Sequence, residues 1–173
     1  MIFTGFKRKS NQIYFNKKIA DFLKKSIVAS SEKIKHILVL VDDISEKDSI
    51  HKNLMALFNF NENNIDLVVF QQKTNKNQIL EGLISPKDFG WYGKIKSDKL
   101  KTILTKKYDL LINYSKVDDL YSNLLLLQCK AGFKAGFAHL DGRFYDLTID
   151  CEASDLAVFN KELKKYLTIL NKI

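Results

Sequence analysis

His36-Ile37-Leu38-Val39-Leu40-Val41, followed by Asp42-Asp43, is the stretch that decides the fold class. It is a continuous apolar run, rich in β-branched residues and too short for a core helix. Such a run fits a strand buried on both faces, as in a parallel sheet. Residues 45–60 then carry Ile50, Leu54, Leu57 and Phe58 at helical spacing, with Ser45 as an N-cap and Asp48 three positions on. Residues 65–70 (IDLVVF) and 108–114 (YDLLINY) read as two further buried strands. Residues 73–97 are irregular and include the apolar patch Ile79, Leu80, Leu83 and Ile84, and the single proline, Pro86. A short helix is expected near 98–104. Asp118 and Asp119 favour the start of another, carrying Leu120, Leu124, Leu125 and Leu127, with Gly132 as its C-cap.

Further on, residues 134–140 and 143–150 flank Asp141-Gly142, a dipeptide typical of a tight antiparallel hairpin. Ser154 can cap a last helix holding Phe159, Leu163, Tyr166, Leu167 and Leu170. Strands alternating with helices predict an α/β fold: a three-layer Rossmann-like mixed sheet, mostly parallel, closed by a C-terminal antiparallel hairpin. An N-terminal basic helix precedes it, with Ile19, Phe22, Leu23 and Ile27 as the apolar stripe of residues 11–30. The expected division is a basic helical arm, 1–33, and a single α/β domain, 34–173.

The charge is unevenly spread. Residues 1–35 hold nine Lys/Arg against two acids, so +7 of the formal +8 sits at the front. The remaining chain is nearly neutral. A cationic flank on a neutral body points to an anionic partner. Lys7, Arg8, Lys9, Lys17, Lys18, Lys24 and Lys25 are the candidate phosphate contacts. The run Phe89-Gly90-Trp91-Tyr92-Gly93-Lys94 adds aromatic rings beside Lys94, able to stack on bases. The competing reading is that Trp91 plugs a gap over the sheet. Likewise, the apolar stripe of the arm can dock on the body and leave the lysines merely solvated, or the arm can lie on anionic lipid.

In an open α/β sheet, ligands bind beyond the carboxyl ends of the strands. That rule nominates Asp42, Asp43, Gln71, Asn113, Ser115 and Lys116 as a ligand rim; the alternative is that they are polar loop residues and helix caps. No GxGxxG follows the first strand and no GxxxxGK[ST] occurs, which argues against an ordinary dinucleotide or P-loop enzyme. Cys129 and Cys151 lack zinc-site spacing, so neither a metal nor a cofactor is expected. No signal peptide or membrane-spanning run is visible. A soluble, cytoplasmic protein is expected.

The segments Tyr108–Tyr114, Leu124–Gln128 and Lys130–Phe137 (KAGFKAGF) carry a resemblance. The chain resembles an uncharacterised bacterial family of small α/β proteins, a domain of unknown function of about this length. Residues 107–138 are also similar to the N-terminal half of heptosyltransferase-like glycosyltransferases, where a YDLxID strand leads through a helix to a GF strand. The chain is too short for the two halves that such transferases need, and no catalytic residues carry over. The expected function is non-enzymatic binding of a polyanion, RNA or a ribosomal assembly, through the basic arm. The alternatives are an enzyme of nucleotide or sugar metabolism holding a small molecule at the rim, and a peripheral protein on an anionic membrane surface.

Overall fold

The computed structural model describes residues 2–24, 33–72 and 82–173. Lys25, Ile27, Ile79 and Leu80 lie outside the described residues. The elements in chain order are α1 (Ile2–Lys24), β1 (Ile37–Val41), α2 (Lys47–Phe58), β2 (Ile65–Phe70), β3 (Leu83–Ile84), α3 (Asp98–Thr105), β4 (Lys107–Tyr108), β5 (Leu110–Asn113), α4 (Leu120–Gln128), β6 (Lys130–Ala131), β7 (Lys134–Phe137), β8 (Leu147–Ile149) and α5 (Leu156–Ile169). Six strands form one sheet in the order β3-β2-β1-β5-β7-β8, and β4 pairs with β6 in a separate two-stranded ladder. Each strand pair in both sheets runs parallel.

β1 lies between β2 and β5, with Val39 opposite Leu67 on one side and Ile112 on the other. Its side chains alternate between faces, as the strand period requires. Ile37, Val39 and Val41 pack with Ile50 and Leu54 of α2 and with Phe159, Leu163 and Leu167 of α5. Leu38 and Leu40 pack with Phe15 and Ile19 of α1, Leu100 of α3 and Leu124 and Leu125 of α4. The apolar run thus reads as it does because both of its faces are covered. The sheet is flanked by helices, and α1 is one of them.

The expected antiparallel hairpin is not there. β7 and β8 pair in parallel, with Gly136 opposite Thr148. A two-residue type I′ hairpin needs positive φ at both central positions. Asp141 has φ −61°, and Gly142 is not at positive φ. Asp141 instead caps a 3-10 turn at Gly142–Phe144, accepting from Arg143 N at 3.2 Å and holding its guanidinium at 2.6 Å. The turn drives Phe144 under α1, its ring 6.0 Å from Phe15 and 5.4 Å from Phe22. Burying that aromatic ring, about 150 Å² or more, keeps the chain crossing over the sheet instead of folding back.

Other caps also shift. Glu46 rather than Ser45 precedes α2, Asp155 rather than Ser154 caps α5 through Val158 N, and α4 ends at Cys129, before Gly132.

Candidate functional site

The positive-φ tight turn that the sequence suggests at 141–142 is found at 92–93. Tyr92 (φ 52°) and Gly93 (φ 71°) occupy the centre of a turn closed by Lys94 N donating to Trp91 O at 3.1 Å. Phe89 and Ile95 form an antiparallel bridge behind it. Both positive φ values match a type I′ turn. A glycine is required at 93: a Cβ there would lie 2.2 Å from the Tyr14 ring. Tyr92 takes the same left-handed region with a side chain, a conformation that costs about 1–2 kcal/mol.

α1 holds this turn in place. Asn11 is fully buried. Its Nδ2 donates to Gly90 O at 3.0 Å and its Oδ1 accepts from Gly93 N at 2.7 Å. Ser10 Oγ accepts from Tyr92 N at 3.4 Å, and Gln128 Nε2 donates to Gly93 O at 3.2 Å. Lys7 Nζ donates to Pro86 O at 2.8 Å and Phe89 O at 3.0 Å. Burial lowers the Lys7 pKa, as does the nearby Lys96. Lys7 therefore serves the loop. Trp91 does not plug a gap: it is 46% exposed and Tyr92 62% exposed, with Lys94 exposed beside them.

The remaining cations of α1 divide by helix face. Arg8 Nη1 lies 4.0 Å from Asp119, and Lys18 Nζ 3.7 Å from Asp21. Lys9, Lys17 and Lys24 are exposed and make no ion pair among the described residues. At 100° per residue they fall within an arc of about 80°, facing away from the buried Asn11 and Phe15, and span about 22 Å of helix axis. Phe6 and Ile13 share that outward arc and are exposed, with exposed Leu23 near its edge. The expected stripe is thus only partly met: Ile19 is buried, while Leu23 faces out.

The rim residues come together, but largely to join two loops. The sheet order reverses beside β1, so the loops after β1 and β5 leave in opposite senses. Asp42 Oδ2 accepts from Lys116 N at 2.8 Å and Val117 N at 3.1 Å. Burial raises its pKa, and those two N–H donors partly counter the rise. Lys116 Nζ bridges Asp43 at 3.1 Å and Glu46 at 2.8 Å. Both carboxylates raise its pKa, Glu46 most. Asn113 Oδ1 accepts from Ser115 N at 2.9 Å, and its Nδ2 donates to Tyr145 OH at 2.7 Å. Ser115 Oγ is buried with no hydrogen-bond partner among the described residues. Gln71 is half-buried, its N–H donating to Ile84 O at 2.9 Å. Gln72 Nε2 donates to Asp119.

The Asp43 carboxylate sits at about 2 rather than 3.8, chiefly through the Ser45 hydroxyl, then Ser45 N and Lys116. Its folded pKa lies below its unfolded one. The stability it supplies is therefore present above pH 3.8 and lost as pH falls towards 2. We expect Asp43→Asn to be less stable than wild type at pH 5, with the gap in urea midpoint closing between those values. A gap that stays constant would contradict this linkage.

Ser10, Asn11 and Gln128, which hold the turn, are absent from the sequence-based candidates. The one signal was Ser10-Asn11, two polar residues that helical spacing places next to Tyr14 and Phe15 on the docking side of α1.

A family model, "Family of unknown function (DUF6913)", matches residues 7–170, and the chain belongs to that family. No curated protein and no solved structure matches the chain. Among the described residues, no helix is long and apolar enough to cross a membrane, and no group of three or more His, Cys, Asp or Glu could hold a metal ion.

Proposed function

We propose that this member of the family binds a polyanion, single-stranded RNA, free or within a ribosomal assembly. Lys9, Lys17 and Lys24 contact phosphates, and Trp91 and Tyr92 stack on unpaired bases. One observation carries this reading: an outward row of exposed lysines, with no ion pair among the described residues, stands on the same helix that fixes an exposed aromatic turn. Cations following a backbone and rings offered to bases are the two components of sequence-tolerant single-strand binding. Lys94 is exposed beside the aromatic turn, and Arg8, paired to Asp119, is a further candidate phosphate contact.

Trp91 is the single tryptophan of the chain, so its emission reports the turn alone. Titration with a single-stranded RNA at low salt should quench that emission saturably. An emission unchanged up to saturating RNA would sink the reading.

Two other readings each have an observation in their favour. Phe6, Ile13 and Leu23 among the lysines suit an anionic lipid surface. Flotation with anionic vesicles but not neutral ones, without RNA binding, would replace the RNA reading with this one. The Rossmann-like reading is supported by the strand order β3-β2-β1-β5-β7-β8, which reverses beside β1; in doubly wound folds ligands sit at such a reversal. Ser115 Oγ, buried without a hydrogen-bond partner among the described residues, lies in the loop after β5, beside that reversal. An enzyme of nucleotide or sugar metabolism would be stabilised against heat by its nucleotide.

A further inference from the structure

A cavity of about 650 Å³ opens between the C-terminal half of α1 and the chain running from α4 through β6 into β7. That volume is within the range of small-molecule sites. Phe22, Leu127 and Ala131 give it apolar walls. Four lysines line it, Lys18, Lys24, Lys130 and Lys134, against one acid, Asp21, which is paired to Lys18.

Lys134 is the unusual member. It is 2% exposed, yet its Nζ has no ion pair or hydrogen bond among the described residues. Its contact is the Phe22 ring, 4.9 Å away at the centroid. Asp146, whose charge acts on Lys134, has one carboxylate oxygen spent on the backbone: its Oδ2 accepts from Lys134 N at 2.8 Å. Burial lowers the Lys134 pKa, with Cys129 and Asp146 opposing. Burial pushes the thiol of Cys129, another residue of the cavity lining, up to about 12. A lysine this largely buried, with no anion at its ammonium among the described residues, is suited to pair with an anion in the cavity it lines.

We propose that this cavity binds a small organic anion, an acid group on an apolar body of about naphthalene size, with Lys134 as its counter-ion. The apolar body lies against Phe22, Leu127 and Ala131. Lys18, Lys24 and Lys130 at the border draw the anion in. Of the outward row only Lys24 also borders the cavity, and Lys134, the residue that the test alters, is not in that row, so the proposal stands or falls separately from RNA binding.

The test uses two probes of one shape, 1-anilinonaphthalene-8-sulfonate and its uncharged counterpart N-phenyl-1-naphthylamine, titrated into the full chain by calorimetry. We expect one sulfonate per chain, bound about tenfold or more tighter than the neutral probe, as a charge-assisted contact requires. Lys134→Met keeps the length and the Phe22 contact, and should remove that preference while leaving the neutral probe's affinity alone. Equal affinities for the two probes in the wild type would overturn the proposal, as would an unchanged preference in a folded Lys134→Met. Ala131→Phe fills the cavity from a different wall and serves if the first variant does not fold. It should abolish binding of both probes, and undiminished sulfonate binding by it would also overturn the proposal.

Discussion

An Asn11→Leu variant should lose about 2–5 kcal/mol of folding stability, because two backbone groups lose their partner at once. The side chain is fully buried, and both of its polar ends are engaged on the 90–94 turn. Leucine is close in volume, so little of the loss comes from a cavity. What remains is Gly90 O and Gly93 N enclosed without a hydrogen bond. Each such group costs about 1–3 kcal/mol, a large share of the roughly 5–15 kcal/mol that holds a domain folded. Urea denaturation followed by circular dichroism measures the loss, and Trp91 emission reports whether the turn has come away from α1. A loss under about 1 kcal/mol would mean that water replaces the amide at no great cost, and that α1 and the turn are not one unit.

Reversing the outward row, Lys9→Glu, Lys17→Glu and Lys24→Glu together, should weaken single-stranded RNA binding about a hundredfold at low salt, since three attractions become repulsions. Folding should change by only about 0.5 kcal/mol per site, as these side chains are exposed and make no ion pair among the described residues. A double reversal on α5, Lys161→Glu and Lys164→Glu, is the control. α5 packs on the opposite side of the sheet from α1. If the α5 reversal weakens binding as much as the α1 reversal, net charge and not the α1 row is responsible.

Much of the fold is legible because burial on two faces leaves a plain trace. The β1 run is apolar throughout for that reason, the IDLVVF of β2 is apolar but for Asp66, and the Leu-rich α4 is buried from Leu120 to Leu126 with Ser122 and Asn123 among its apolar residues. What misled was turn chemistry. Asp-Gly at 141–142 satisfies a hairpin and a capped 3-10 turn equally well as a local sequence. The choice was made by Phe144, whose burial against α1 cannot be read from its neighbours. Tyr92-Gly93 is the reverse case. A tyrosine at left-handed φ is unfavourable locally and is held there by Ser10 and Asn11, about 80 residues away.

The arm shows both outcomes. Its charge is visible at a glance, but its start is not. Phe6 and Ile13 face outward and blur the helical period, so the sequence places the helix at 11–30, whereas the described helix is Ile2–Lys24. The division of labour among its cations is not legible either. Lys7 and Lys17 look alike in sequence, yet one is bound to carbonyls of the loop and the other stands free among the described residues. Lys134 is hidden for a similar reason. A lysine opening the strand KAGF reads as an exposed strand end until α1 is laid over it.

The most direct measurement of the central claim is the salt dependence of single-stranded RNA affinity in the wild-type protein. Three phosphates neutralised by lysines release their counterions and set a slope of log K against log salt of about −2, steeper if Lys94 and Arg8 join. A slope of about −2 or steeper, falling towards zero in the triple reversal, is the predicted result. A slope shallower than about −1, or no binding at about 50 mM salt, would contradict the account.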